Sequence, residues 1–117
     1  VTTYLEPMER VKAGIETLLS AAERAGASIA VMEIADGIFQ KETAALLADA
    51  GFVARMSACV FACGDAVAAA GGVAALDQLG LRPLCLTGLL STRGGLMDPA
   101  VVSGLLAQVL GPVPVAA

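Results

Sequence analysis

Histidine and tryptophan are missing from this chain, aromatic residues make up only 3% of it, and charged residues stop at 15%. Each shortage removes a class of chemistry. Without histidine there is no Ser-His-Asp triad, no Cys-His nucleophile pair and no imidazole-held metal. Seven basic residues against eleven acidic ones give a net charge of -4. With no basic cluster interleaved with aromatics, there is no surface for a phosphate backbone or stacked bases, and nucleic acid is not an expected partner. The three cysteines, Cys59, Cys63 and Cys85, are odd in number and match no zinc spacing. If 59–63 is strand, Cys59 and Cys63 stand ~13 Å apart, about twice what a disulfide allows. Reduced core thiols and a cytoplasmic location are the expectation.

What is present is alanine, glycine, valine and leucine: 57% of the 117 residues are hydrophobic, and the mean hydropathy is +0.80. The only stretch resembling a membrane span is 57–76, and it holds Gly64-Asp65. A mid-span aspartate costs ~3 kcal/mol on insertion scales, so a strand followed by an alanine-rich helix is the better reading and no membrane is expected. No basic region precedes an apolar one at the start, so no signal peptide is expected. The length suits one domain, 1–117, ending in an extended tail at 112–117.

Helical spacing of Met8, Val11, Ile15, Leu18, Leu19 and Ala22, with Pro7 in the first turn and Gly26 as the stop, predicts an amphipathic helix over about 7–25. Lys12 on that helix is read as solvated. The run 28–34, SIAVMEI, has the pattern of a central parallel strand, placing Met32 and Ile34 on one face and Val31 and Glu33 on the other. A helix over 41–50 ended by Gly51, a strand over 55–63, an alanine-rich helix from Gly64-Asp65 to about Leu79, a strand within 81–88 and a last helix over 98–110 complete the pattern. Strand alternating with helix makes an α/β fold with a parallel sheet of about three main strands and helices on both faces. Such a small sheet has exposed edges, to be covered by another part of the chain or by a second copy.

In sheets of this kind ligands sit beyond the carboxyl ends of the strands. Here those ends carry Glu33 and Asp36-Gly37, then Gly64-Asp65, then Thr87-Gly88 followed by Ser91, Thr92 and Arg93. A Walker A reading around Lys41 fails. Gln40 stands where the loop needs glycine, Glu42 where it needs a hydroxyl, and Ala35 where it needs its first glycine. A metal reading fits better, because an ionised Glu33 in a covered sheet needs a partner or a cation. Asp36 is a second metal candidate, although Asp-Gly is also a common turn. The alternative is a strand-end glutamate that reaches water or a lysine. Gly71-Gly72 is read as allowing close helix packing, and 91–95 as either an anion-binding loop or a surface loop.

The order VMEIADG, then ACVFACGDAVAAAGGVAALDQLGLRPLCLTG, resembles the later part of dethiobiotin synthetase-like P-loop NTPases. TTYLEP, EIADGIFQKETAALL and the Gly-Asp after the second strand look like an uncharacterised bacterial branch of that group. The resemblance implies a three-layer αβα, P-loop NTPase-like or Rossmann-like fold, of which this chain is the C-terminal portion. It places Glu33 at the carboxylate of a Glu-Gly-Ala-Gly-Gly motif and Gly37 at its last glycine. Glu33 is then catalytic, Glu33 and Asp36 are metal-side, and Asp36, Gly37, Asp65, Thr87 and Gly88 are cofactor-side. Ile34 and Asp36 replace glycines of that motif, and Thr87-Gly88 stands where an asparagine would read adenine.

The function implied is ATP- and Mg²⁺-dependent activation of a small acid or amide in the full-length protein. A missing N-terminal P-loop segment or a second subunit would be the partner, within a homo-oligomer. Since these 117 residues contain no Walker A motif, the chain alone is expected neither to hold the cofactors tightly nor to hydrolyse ATP. The alternative is a non-catalytic α/β binding or oligomerisation module. A third reading is a flavodoxin-like domain with a small ligand at its switch point.

Overall fold

A computed structural model describes residues 6–35, 37–89, 104, 107, 108, 111, 114 and 115. The elements run α1 (Met8–Arg24), α2 (Lys41–Leu47), α3 (Ala50–Val53), β1 (Val60–Ala62), α4 (Ala66–Gln78) and β2 (Cys85–Thr87). The chain divides into two compact units, Val1–Phe52 and Val53–Ala117.

In the first unit, α1 begins at Pro7, whose carbonyl accepts from the Arg10 and Val11 amides. The helix ends in a Schellman arrangement: Gly26 takes φ 82°, its amide donates to Glu23 O, and Ala27 N donates to Ala22 O. Its apolar stripe packs in part against α2, yet no α1 residue is fully buried. The core of this unit is Thr43, Leu46 and Leu47 on α2. The helix expected over 41–50 is broken in two. Asp49 accepts the Phe52 amide at 2.8 Å and so caps α3, which places Gly51 inside a helix rather than at its end.

The run 28–34 is the main departure from expectation. It belongs to no strand, and it forms no ladder with any described residue. The predicted alternation survives in weakened form, with Ile34 half-buried and Met32 less open than its neighbours. Val31 stands 95% and Ile29 81% exposed, so the second face is uncovered.

In the second unit β1 and β2 form a two-stranded parallel sheet in the register Val60↔Cys85, Phe61↔Leu86 and Ala62↔Thr87. Among the described residues this is a small α/β arrangement with two strands, where about three were expected. β1 is also far shorter than the predicted 55–63. On the far edge of β2, Val115 makes a parallel bridge to Leu86, whose amide donates to Pro114 O at 2.8 Å.

Helix α4 lies on one face of this sheet, with Ala69, Val73 and Leu86 fully buried and Phe61, Cys63, Ala66 and Ala70 packed around them. On the opposite face Val60 is 57% exposed. Asp65 caps α4 through the Ala68 amide at 2.8 Å. Gly80 at φ 74° closes the helix in a second Schellman turn, in which Gly80 N donates to Asp77 O and Leu81 N to Leu76 O. Leu76 and Leu81 are both buried, the apolar contact that accompanies such a turn. Gly72 meets the Phe61 ring, as close helix packing requires, while Gly71 faces open space.

Most of the helix expected over 98–110 lies outside the described residues, and Gly104, Ala107 and Gln108 within it are helical. Among the described residues no helix is long and apolar enough to cross a membrane.

Candidate functional site

In the second unit the two strand ends are brought together. Cys63 N donates to Thr87 O at 2.9 Å, so Cys63-Gly64-Asp65 after β1 runs beside Thr87-Gly88 after β2. Asp65 and Gly88 already have structural tasks. Asp65 spends one carboxylate oxygen on the α4 cap. Gly88 takes φ 103° directly against the Cys63 backbone, where a Cβ would sit 2.6 Å from Cys63 O. Thr87 is half-buried at the end of β2. Burial, with a smaller contribution from the Asp65 charge, pushes the Cys63 thiol up, and burial does the same to Cys59. Both are therefore poor nucleophiles, in line with reduced structural thiols.

In the first unit Glu33 is exposed on the run 28–35, which has no strand partner among the described residues. Gly37 follows at φ 85°, and its carbonyl accepts from Gln40 N at 3.2 Å. Gln40, the residue that rules out a Walker A loop, is the N-cap of α2. Its Oε1 accepts from Thr43 N at 3.4 Å and from Thr43 Oγ1 at 3.2 Å. The buried Thr43 hydroxyl also lies 3.3 Å from Ala35 O, tying the end of the run to the helix. The turn is thus a capped connection into a helix, with the Gln40 side chain taken up by Thr43. Asp36, Ser91, Thr92 and Arg93 lie outside the described residues.

Among the described residues no three His, Cys, Asp or Glu side chains gather as a metal site. A single exposed carboxylate at Glu33 does not make a Mg²⁺ site on its own. It suits only the part a carboxylate plays where phosphates and water supply the other oxygens.

One feature of the first unit was not foreseen. Lys12, read from the sequence as solvated, donates to Asp49 Oδ2 at 2.5 Å, while the other Asp49 oxygen holds the Phe52 amide. A cavity of about 230 Å³ lies here, lined by Lys12, Ile15, Glu16, Asp49, Gly51 and Phe52. The Asp49 hydrogen bond raises the Lys12 pKa, and the Lys12 hydrogen bond together with the Phe52 amide lowers that of Asp49. A lysine held in its ammonium form is no amine nucleophile, so the pair is a clasp between α1 and the start of α3. Its signal was available: Lys12 lies on the border of the apolar stripe, and Asp49-Ala-Gly-Phe52 is a cap sequence.

The clasp sets a pH window. Asp49, with its lowered pKa, stabilises the fold above the ordinary carboxylate value and loses this as pH falls through its own. Lys12, with its raised pKa, contributes below the ordinary lysine value and loses this as pH rises through its own. The urea midpoint should therefore separate wild type from Lys12→Met between roughly pH 4 and pH 10, and the two should converge outside that range. A gap that is flat to pH 2 would show that the ion pair contributes nothing.

No family model matches the chain, and no curated protein or solved structure matches it either.

Proposed function

We propose that this chain is the C-terminal portion of a dethiobiotin synthetase-like P-loop protein, a three-layer αβα fold that uses ATP and Mg²⁺ to activate a small acid or amide. The observation behind the reading is the run 28–35. It has a strand's apolar pattern, carries Glu33 near its end, and passes through the Gly37 turn into a capped helix, yet it has no strand partner among the described residues. A parallel strand with both faces apolar is stable only between neighbours. A preceding P-loop segment would supply a neighbour and, with it, the phosphate cradle that this sequence lacks. Glu33 would then stand beside the nucleotide as the Mg²⁺-side carboxylate. The substrate is a small molecule, and the site belongs to the full-length protein.

A second reading, a non-catalytic α/β assembly module, draws on the same uncovered apolar residues and on Asp65 being engaged as a helix cap. Calorimetric titration with Mg-ATP separates the two. The 117-residue chain should give no binding heat, whereas the longest native form should bind, and Glu33→Gln in that form should lower turnover by about 100-fold or more. A full-length form that ignores Mg-ATP, or a Glu33→Gln variant with unchanged binding and turnover, leaves the assembly module standing.

A further inference from the structure

We propose that the C-terminal segment is an edge guard: Pro114 and Val115 cover the side of β2 on which the β2 of a second copy would otherwise pair. The inference does not depend on the nucleotide reading. One side of β2 is taken by β1, and on the other Leu86 N donates to Pro114 O at 2.8 Å while Leu86 bridges Val115 in parallel. Val115 also packs, half-buried, against the Ala69, Val73 and Leu86 core. The segment thus closes a backbone edge and a core boundary together. β2 needs such cover, because the sequence carries no charge between Arg82 and Arg93 and so none of the edge charges with which sheets repel added strands.

The direction of the Leu86 amide selects what an uncovered edge would take. In a strand the N–H and C=O of one residue point to the same side, so both Leu86 groups face the edge that Pro114 and Val115 occupy. A two-fold antiparallel pairing centred on Leu86 lets each copy's Leu86 amide donate to the other's Leu86 carbonyl, the self-complementary contact that a symmetric dimer requires. The guard itself is placed by local chemistry and held by few contacts. Gly111, at φ 75° with its amide on Ala107 O, ends a helical stretch, and a Cβ there would lie 3.9 Å from Arg82 Nη2, at the entry to β2. Four positions on, Val115 reaches Leu86. Pro114 offers a carbonyl but no N–H, so the Val115 side chain is the main anchor.

The test compares the full chain with one ending at Gly111 and with Val115→Asp, which keeps every backbone group. In dilute solution, near roughly 1 μM, the Leu86 amide should exchange its hydrogen at least about tenfold faster in both variants, with unchanged far-ultraviolet circular dichroism. In sedimentation equilibrium up to roughly 1 mM, the shortened chain should associate at least about tenfold more tightly than the full one. Leu84→Lys, at a position 64% exposed, adds the missing edge charge and should return the shortened chain to monomer. Equal Leu86 exchange in all three proteins overturns the proposal, as does a shortened chain that associates no more tightly than the full one, or association indifferent to Leu84→Lys. So does loss of the circular dichroism signal in both variants, since the segment would then hold the fold rather than guard an edge.

Discussion

Gly88→Ala is expected to cost roughly 3 kcal/mol of stability, a large effect for a substitution that adds a single methyl group. Two separate penalties meet at this position. The backbone holds φ at 103°, a region in which an L side chain crowds its own carbonyl. The added Cβ would also lie 2.6 Å from Cys63 O and 3.1 Å from Cys63 N. Neither backbone atom is free to yield, because Cys63 N is held by Thr87 O at the end of the ladder between β1 and β2. Relief therefore means opening the sheet at the strand ends. Gly64, on the other side of Cys63, is the control: its φ is not positive and nothing lies within 4 Å of its Cβ position, so Gly64→Ala should shift stability by no more than about 0.5 kcal/mol. Equal urea midpoints for the two variants would remove the close approach from the account. The result also bears on function, since the fold alone demands glycine at a position that sequence reasoning assigned to a cofactor.

The parts of this chain that were legible in advance are those whose causes are local. Both long helices begin and end within a residue or two of expectation, because Pro7, Gly26, Asp65 and Gly80 each satisfy helix-end groups only a few positions away. The break between α2 and α3 escaped notice even though its cause is equally local. Leu46, Leu47 and Ala50 continue the apolar period, while Asp49 competes with it by capping a new helix. Strands were harder, since a strand is specified by a partner distant in sequence. Val60–Ala62 and Cys85–Thr87 find each other, while the equally apolar 28–34 finds no described neighbour. The candidate site divides along the same line. The rim formed by Asp65, Thr87 and Gly88 follows from two strands ending in register, but a carboxylate at a helix start looks alike whether it caps or binds, and here it caps. The Lys12 clasp, joining residues 37 positions apart, left only a border position on a helical stripe as its trace.

The second large effect is expected at Gly72, where general helix energetics predict the wrong sign. Alanine in place of a glycine inside a helix ordinarily gains about 1 kcal/mol, and α4 runs on for six residues beyond this position. At Gly72, however, the new methyl would fall 2.2 Å from Cε1 and 2.3 Å from Cζ of the Phe61 ring, which reaches the helix from β1. The ring cannot simply swing aside, because it packs against the Ala69, Val73 and Leu86 core that joins α4 to the sheet. Overpacking of this kind costs ~1–3 kcal/mol, and here it must exceed the helix gain, so Gly72→Ala should lose about 1–2 kcal/mol net and Gly72→Val more. Gly71→Ala, one position along with open space above it, should show the ordinary gain and so isolates the ring as the cause. A double-mutant cycle completes the test. Phe61→Leu alone should destabilise, yet in its presence Gly72→Ala should become neutral or stabilising, with a coupling of at least about 1 kcal/mol. Additive costs at the two positions would mean that the methyl and the ring do not compete for the same space, and the packing of α4 on β1 would need another explanation.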